Sequence, residues 1–407
     1  SGNAARQWNL NLDITPTQTM NRWRSGERIT RNEHVHHHLP HRILTQKIIM
    51  QVLRVPTVPN RPVQTANEQP FGLIGLRRNA PLDFVENAEF DPAIAVYDDN
   101  YQNSQAHSPK FQEHMRSVLG LLKMQLPAGG KLVEVGCGKG DFLELAVADG
   151  HFQVYGYDAT YEGANPRIEK RYLTDQDRID AHLVVLRHVL EHIRRPHEFL
   201  QLLQKIFGKA LIYVEVPSLD WILANQAFFD ITYEHVNYFS ETALARLFGD
   251  KVRVQGRLFE EQYQYVVAPL SEVSVEFGAA YGGEAWEALD FNLLFPDLIS
   301  RIETISSSLA ASSRIFVWGA ATKGCMFLLH YLHHGGPMDR IGFAVDINPA
   351  KSNKLLPGSL VPIKSPEAFF SEVTTSDLLL VCNPNYAPEI RQQLSQKGLS
   401  ELRVECL

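Results

Sequence analysis

Apolar positions along this chain change rhythm repeatedly, from short continuous runs to helical spacing and back. The first clear helix is predicted from Ser108-Pro109, a capping side chain followed by the residue best suited to a first helical position. Phe111, Met115, Val118, Leu119 and Leu122 then recur on one helical face, and Pro127 with Gly129-Gly130 ends it. KLVEV (131–135) predicts a strand, GCGKG (136–140) a tight loop, and DFLELAVADG a helix stopped by Gly150. FQVYGYD (152–158), HLVVLRHV (182–189) and KALIYVEVP (209–217) predict further strands. Phe199, Leu200, Leu203, Ile206 and Phe207 mark a helix between the last two.

After Pro269 the chain is expected to be helical, with Leu298, Ile299, Ile302, Ile305 and Leu309 on an amphipathic face. The strand–turn–helix pattern then returns in RIFVWGAATKGCMFLLHYL (314–332), with strands at IGFAVD (341–346) and DLLLVC (377–382). Strands alternating with helices predict an α/β fold built on a doubly wound parallel sheet. Residues 1–105 differ: valines interrupted by Pro56, Pro59 and Pro62, and the stretch 70–84, read as short extended pieces. Three domains are therefore expected. They are an irregular, β-rich one over 1–105, a nucleotide-binding α/β domain over 106–270, and a second, C-terminal α/β domain over 271–407.

The length of 407 residues suits two or three domains. With 44% hydrophobic and 21% charged residues the composition is that of a globular protein, not a disordered one. The net charge of −7, with no Lys/Arg block, argues against nucleic acid as a partner. No apolar run reaches the roughly 20 residues of a membrane span, and no secretory leader is evident, so a cytoplasmic protein is expected. Four single cysteines (Cys137, Cys325, Cys382, Cys406) disfavour a disulfide framework or a cysteine zinc site. Histidines 34, 36, 37, 38 and 41 could bind a metal, but they lack a cysteine or carboxylate set at ligand spacing, and no metal is expected.

The candidate chemistry begins at Glu134-Val135-Gly136-Cys137-Gly138-Lys139-Gly140. A strand leading through glycines into a helix lets a ligand approach the backbone closely. Asp158 lies at the tip of the next predicted strand, where a carboxylate can accept ribose hydroxyls. Glu134, Gly136, Gly138, Gly140 and Asp158 are thus candidate cofactor contacts. Two further segments belong at strand ends beside that cleft: Arg187-His188-Val189-Leu190-Glu191-His192 and Tyr233-Glu234-His235-Val236-Asn237. Arg187 and His188 are placed with the cofactor, and a histidine beside a carboxylate is a natural general base.

The spacing ExGCGxG resembles motif I of the class I S-adenosylmethionine-dependent methyltransferases more than a dehydrogenase GxGxxG. VEVGCGKGDFL, RHVLEHIRRPHEFL, IYVEVPS and YEHVNYFS also occur in the order found in the sugar C-methyltransferase family. Farther on, VWGAATKGCMFLL, AVDINPAKSNKLLPGSLVPI and VCNPNYAPEI resemble that family's C-terminal domain. The resemblance implies a class I methyltransferase fold with S-adenosylmethionine as cofactor. It implies carbon methylation next to the ketone of a nucleotide-linked deoxy sugar or a similar natural-product intermediate. By position His235 would be the base, with Glu234 beside it, His192 near the enolate oxygen, and Tyr233 at the same site. Lys323, Asp346 and Asn383 of the C-terminal unit would either grip the acceptor's nucleotide or merely close the cleft.

Three features depart from the family pattern. No cysteine precedes Cys137 where members carry CxxC pairs, Thr232 replaces a common tyrosine, and Glu-Gln-Tyr-Gln-Tyr (261–265) replaces a glycine-serine stretch. An O- or N-methyltransferase acting on a small molecule is the alternative reading.

Overall fold

The protein is described by a computed structural model over residues 52–95, 101–102, 108–307, 310 and 313–407. The histidine run 34–41 and Leu309 lie outside these residues.

Lys131–Val135 is the middle one of the five parallel strands in a seven-stranded sheet. Gln153–Tyr157 and then Ile168–Glu169 flank it on one side, with Leu183–Arg187 and then Leu211–Pro217 on the other, all parallel. The helix Pro109–Gln125 buries Phe111, Met115, Val118, Leu119 and Leu122, the stripe its spacing predicts. Asp141–Asp149 ends at Gly150, whose φ of 75° only glycine adopts readily.

Tyr263–Pro269 adds to this sheet antiparallel to Leu211–Pro217, and Val254–Leu258 forms the edge. The hairpin carries no usual turn residue. Phe259, Glu260 and Glu261 all take left-handed φ angles, 54°, 53° and 65°, where Gly or Asn would normally signal the turn. The helical run expected after Pro269 is also interrupted. Val275–Tyr281 stops at Gly282-Gly283, and Trp286–Ala288 becomes a strand before Phe291–Leu294 and Leu298–Ser307 resume.

The C-terminal sheet is parallel throughout, in the order Ile363–Lys364, Ile341–Val345, Ile315–Trp318, Leu378–Val381, Arg403–Cys406. A third, antiparallel sheet stitches distant parts of the chain together. Leu76–Asn79 pairs with Phe84–Asn87 and with Trp286–Ala288, and Asn237–Phe239 pairs with Phe84–Asn87. Leu53–Pro56 and Phe71–Ile74 form a separate ribbon. One apolar cluster then runs from Val55 and Ile74 through Phe228, Phe229 and Tyr233 into Phe327 and Leu380. Among the described residues no helix is long and apolar enough to cross a membrane.

The turn at 259–261 is a reservoir of backbone strain, since an L-residue in this region costs about 1–2 kcal/mol. Glu261 is mostly in solvent, and its contact with Arg257, at 3.7 Å, is a surface pair of little worth. Glu261→Gly should therefore stabilise the protein by about 1 kcal/mol in chemical denaturation, and a loss of stability would show that the turn is not strained.

Candidate active site

The two parallel sheets direct their carboxyl ends at each other across one cavity of about 440 Å³. In each, the central strand has neighbours reached by opposite crossovers, the point at which such sheets leave a crevice. Glu134, Gly136, Gly138, Arg187 and His188 line it from the first sheet, and Trp318, Gly319, Asp346, Cys382 and Asn383 from the second. His192, Glu234 and His235 lie on its wall between them. The structure thus brings together most of the residues picked out by sequence, from positions up to 249 residues apart (Glu134 to Asn383, 383 − 134).

The glycine loop has the shape of a ligand cradle. A side chain at Gly136 would strike Val189 at 2.5 Å, while one at Gly138 would meet nothing within 4 Å, the open face of the loop. Both have positive φ, 75° and 55°. Gly140 caps the following helix from outside the cavity lining. Glu134 is buried, and its Oε2 has no hydrogen-bond partner among the described residues. Burial pushes its carboxyl up to about 8 despite the nearby Arg187. An unpartnered carboxyl beside a glycine loop fits the charged end of a cationic amino-acid group. Asp158 stands at the strand tip behind the loop, outside the lining. Its Oδ2 accepts the Gly138 N–H at 2.8 Å, and its Oδ1 accepts from Thr160 N and Oγ1 at 2.7 Å.

Behind the loop lies a carboxylate that sequence reasoning missed. Glu215, fully buried on Leu211–Pro217, has Oε2 2.6 Å from the Tyr213 hydroxyl. Its Oε1 lies 3.2 Å from Arg187, 3.1 Å from His114 Nε2 and 3.2 Å from His188 Nε2. Burial works against its charge, but Arg187 and His114 outweigh it and hold the carboxyl well below its usual range. Burial likewise opposes the His188 charge, yet Glu191 and Glu215 raise its imidazole to about 9. His188 itself takes a φ of 53° at the end of its strand. The missed signal was the acid within IYVEVPS: a glutamate inside an apolar strand must be paired if it is buried.

Asn237 and Val236 clamp the two histidine segments together. Asn237 Nδ2 donates to Leu190 O and Ile193 O, and Val236 N donates to Glu191 O at 2.8 Å. His192 and His235 consequently meet with ring centroids 5.0 Å apart. His192 Nδ1 is 2.8 Å from the Glu234 carbonyl, which fixes that nitrogen as the protonated one and leaves Nε2 with the lone pair. Burial lowers the basicity of both rings, His235 to about 3, with His192 adding to the shift.

Tyr233 is not in the cleft. Its ring packs under Gly72 and against Phe90, and its hydroxyl bonds the backbone of Asp91, so it joins the core. Tyr233 and Glu234 lie in the bend that precedes the strand Asn237–Phe239, and there Tyr233 enters the core while Glu234 lines the cavity. In the C-terminal unit Lys323 pairs with Asp230, and Lys351 with Asp346 at 2.9 Å. Asn383 Nδ2 donates to Gln262 Oε1 at 2.9 Å, joining the hairpin to the second sheet.

Comparison with known proteins agrees with this architecture. Residues 110–251 match a methyltransferase domain, and residues 300–401 match the C-methyltransferase C-terminal domain. The C-methyltransferase NovU of Streptomyces niveus is 28% identical over 310 residues, 68% of this chain and 72% of that protein. Among solved structures, a SAM-dependent methyltransferase from Aquifex aeolicus is 16% identical and covers 40% of this chain and 94% of its own, with a TM-score of 0.32. Magnesium protoporphyrin IX methyltransferase ChlM from Synechocystis PCC 6803, with bound SAH, is 16% identical over 42% of this chain and 90% of its own, with a TM-score of 0.33. The chain is an S-adenosylmethionine-dependent methyltransferase. The two domain matches and the likeness to a C-methyltransferase support the sugar C-methyltransferase resemblance read from the sequence.

The Glu215 cluster predicts a large energetic effect. Glu215→Gln removes the charge that Arg187 and His188 share, and breaking a buried ion pair typically costs about 3–5 kcal/mol. Denaturant unfolding should show a loss of that size; a loss below about 1 kcal/mol would show that the cluster is dispensable for folding.

Proposed function

We propose that the protein methylates a carbon next to a ketone in a nucleotide-linked deoxy sugar or similar intermediate, with His235 as the general base. The observation that carries the reading is that His235 and His192 line the same cavity as the glycine loop. The cofactor, when bound, supplies an activated methyl group. Glu134, Gly136 and Gly138 would hold it, with Gly140, Arg187 and His188 supporting the loop and Asp158 reaching the ribose. Asp158 already accepts three hydrogen bonds, and a carboxylate has room for one more acceptor contact.

The acceptor's α-carbon would lie against His235, whose lone pair takes the proton, and His192 would face the enolate oxygen. His192 Nδ1–H is committed to Glu234 O, so its help at that oxygen requires Nε2 to be protonated as well. Glu234 then serves chiefly through its carbonyl. Tyr233, committed to Asp91, supports the loop from the core rather than touching the acceptor. The C-terminal unit and the N-terminal strands, divided near 105 and 270, would close the cleft against water. Nucleotide recognition belongs to the Lys323, Asp346 and Asn383 side of the cavity.

Glu134 supplies a test of the cofactor site. With a carboxyl held at about 8 it is protonated at neutral pH, and a cationic amino group arriving beside it favours the ionised form. Calorimetric binding of S-adenosylhomocysteine at pH 7 should release a proton, seen as buffer-dependent heat. Glu134→Gln should abolish that release, and heat independent of buffer in the wild type would remove Glu134 from the site.

The base is tested by His235→Ala. It should keep cofactor affinity yet lose about 10²–10⁴ in turnover. A variant with near-normal methylation would overturn the assignment. Methyl on oxygen or nitrogen of the product, identified by NMR, would replace the carbon reading with O- or N-methylation.

A further inference from the structure

The carboxylate that faces His235 is not its neighbour in sequence. Glu234 turns its backbone carbonyl to His192, and its carboxylate adds to the burial that chiefly raises the thiol of Cys325, on the helix Thr322–His333. Glu191 comes instead from the turn Leu190–His192, 44 residues earlier in sequence (235 − 191). It is 1% exposed and lines the cavity. One carboxylate oxygen of Glu191 and one nitrogen each of His192 and His235 lie within 4.8 Å of one another. The Glu191 carbonyl also accepts the Val236 N–H, which ties the backbone beside His235 to that of Glu191.

Neither oxygen of Glu191 makes a hydrogen bond among the described residues, although both are buried. Its close cationic neighbour is His188, with Nδ1 3.5 Å from Oε1. The far side of the His188 ring meets Glu215, which in turn meets His114. The buried groups therefore alternate in the order His235, Glu191, His188, Glu215, His114. A buried carboxylate without hydrogen-bond donors is expensive unless a positive charge forms beside it.

We propose that Glu191 is the positioning residue of the base: its carboxylate stabilises the imidazolium formed when His235 takes the acceptor's proton, and His188, anchored by Glu215, holds that carboxylate in place. The inference rests on His235 as base. In the step, the α-carbon–hydrogen bond breaks, its proton goes to His235, and its electron pair passes to the carbonyl as an enolate. The enolate carbon then bonds the methyl group, the sulfur keeps the electrons of the broken bond, and His235 returns its proton to solvent. Groups bearing on His235 are His192, Glu191, His188 and Lys323. Glu191 is the negative one, so its removal must make the ring harder to protonate. The same trio has the donor types of a divalent-cation site, but the positive His188 and Lys323 beside it disfavour one.

The test compares Glu191→Gln, Glu191→Asp, Glu234→Gln and His235→Ala in the full chain, with thymidine-diphosphate-linked 4-keto-6-deoxyglucose as the probe acceptor. Glu191→Gln should lower kcat by about 10²-fold or more with KM and cofactor affinity little changed. It should also move the base limb of the kcat/KM profile to lower pH. Glu191→Asp should restore part of the rate, which a merely structural role would not require, and Glu234→Gln should leave the limb unmoved. A silent Glu191→Gln beside an inactive His235→Ala would overturn the role of Glu191 alone, whereas an active His235→Ala would overturn the base reading itself. Activity lost to a chelator and restored by a divalent ion would overturn the proposal in favour of a metal site.

Discussion

A fully buried carboxylate, Glu215, is the constraint on which the site is built. It stands on the strand next to Leu183–Arg187 and meets Tyr213, Arg187, His114 and His188 at once. Ionising it in the interior is unfavourable, and only the convergence of donors from a helix, two strands and a strand-end loop makes it stable. The same convergence fixes where Pro109–Gln125 lies against the sheet, because His114 is on that helix. It also fixes the ring of His188 and, through it, the surroundings of Glu191. Stability and the geometry of the cleft therefore share their residues, and the core cannot be repacked here without disturbing the site.

The parts legible in sequence are those governed by short-range rules. The strand, glycine loop and helix over 131–149 follow from local apolar runs and from the φ requirements of Gly136 and Gly138. The second α/β unit repeats the same rhythm. What could not be read depends on distant partners. The hairpin over 254–269 turns through three non-glycine residues at positive φ, so no turn residue announces it. Trp286–Ala288 is a strand only because Leu76–Asn79, over 200 residues away in sequence (286 − 79), offers it an edge.

The site divides along the same line. The histidines at 188, 192 and 235 were visible because imidazoles beside carboxylates are distinctive in any sequence. Their pairing was not. Adjacency suggests Glu234 for His235, yet the backbone bends through Tyr233 and Glu234, so Tyr233 enters the core and the carboxylate grouped with His235 and His192 is that of Glu191. A 3-10 turn has another geometry, and Leu190–His192 can aim both Glu191 and His192 at one cavity. Asn237 completes the arrangement by bonding both ends of that turn, which is why a residue with no candidate chemistry governs two that have it.

The opposition of the two parallel sheets then has a chemical reason on the proposed reading. Forming an enolate in water wastes it, because solvent returns the proton faster than a methyl group can arrive. A cleft closed on one side by the glycine loop and on the other by a second strand-end surface can hold both reactants while excluding that proton source. The contacts across the cleft suit such closure: Asn383 and Asn385 bond Gln262 and the Phe259 carbonyl, and Lys323 bonds Asp230. The strained turn at 259–261 thus places Gln262 where the second unit can hold it, so the backbone strain there and the closure of the cavity are two sides of one arrangement.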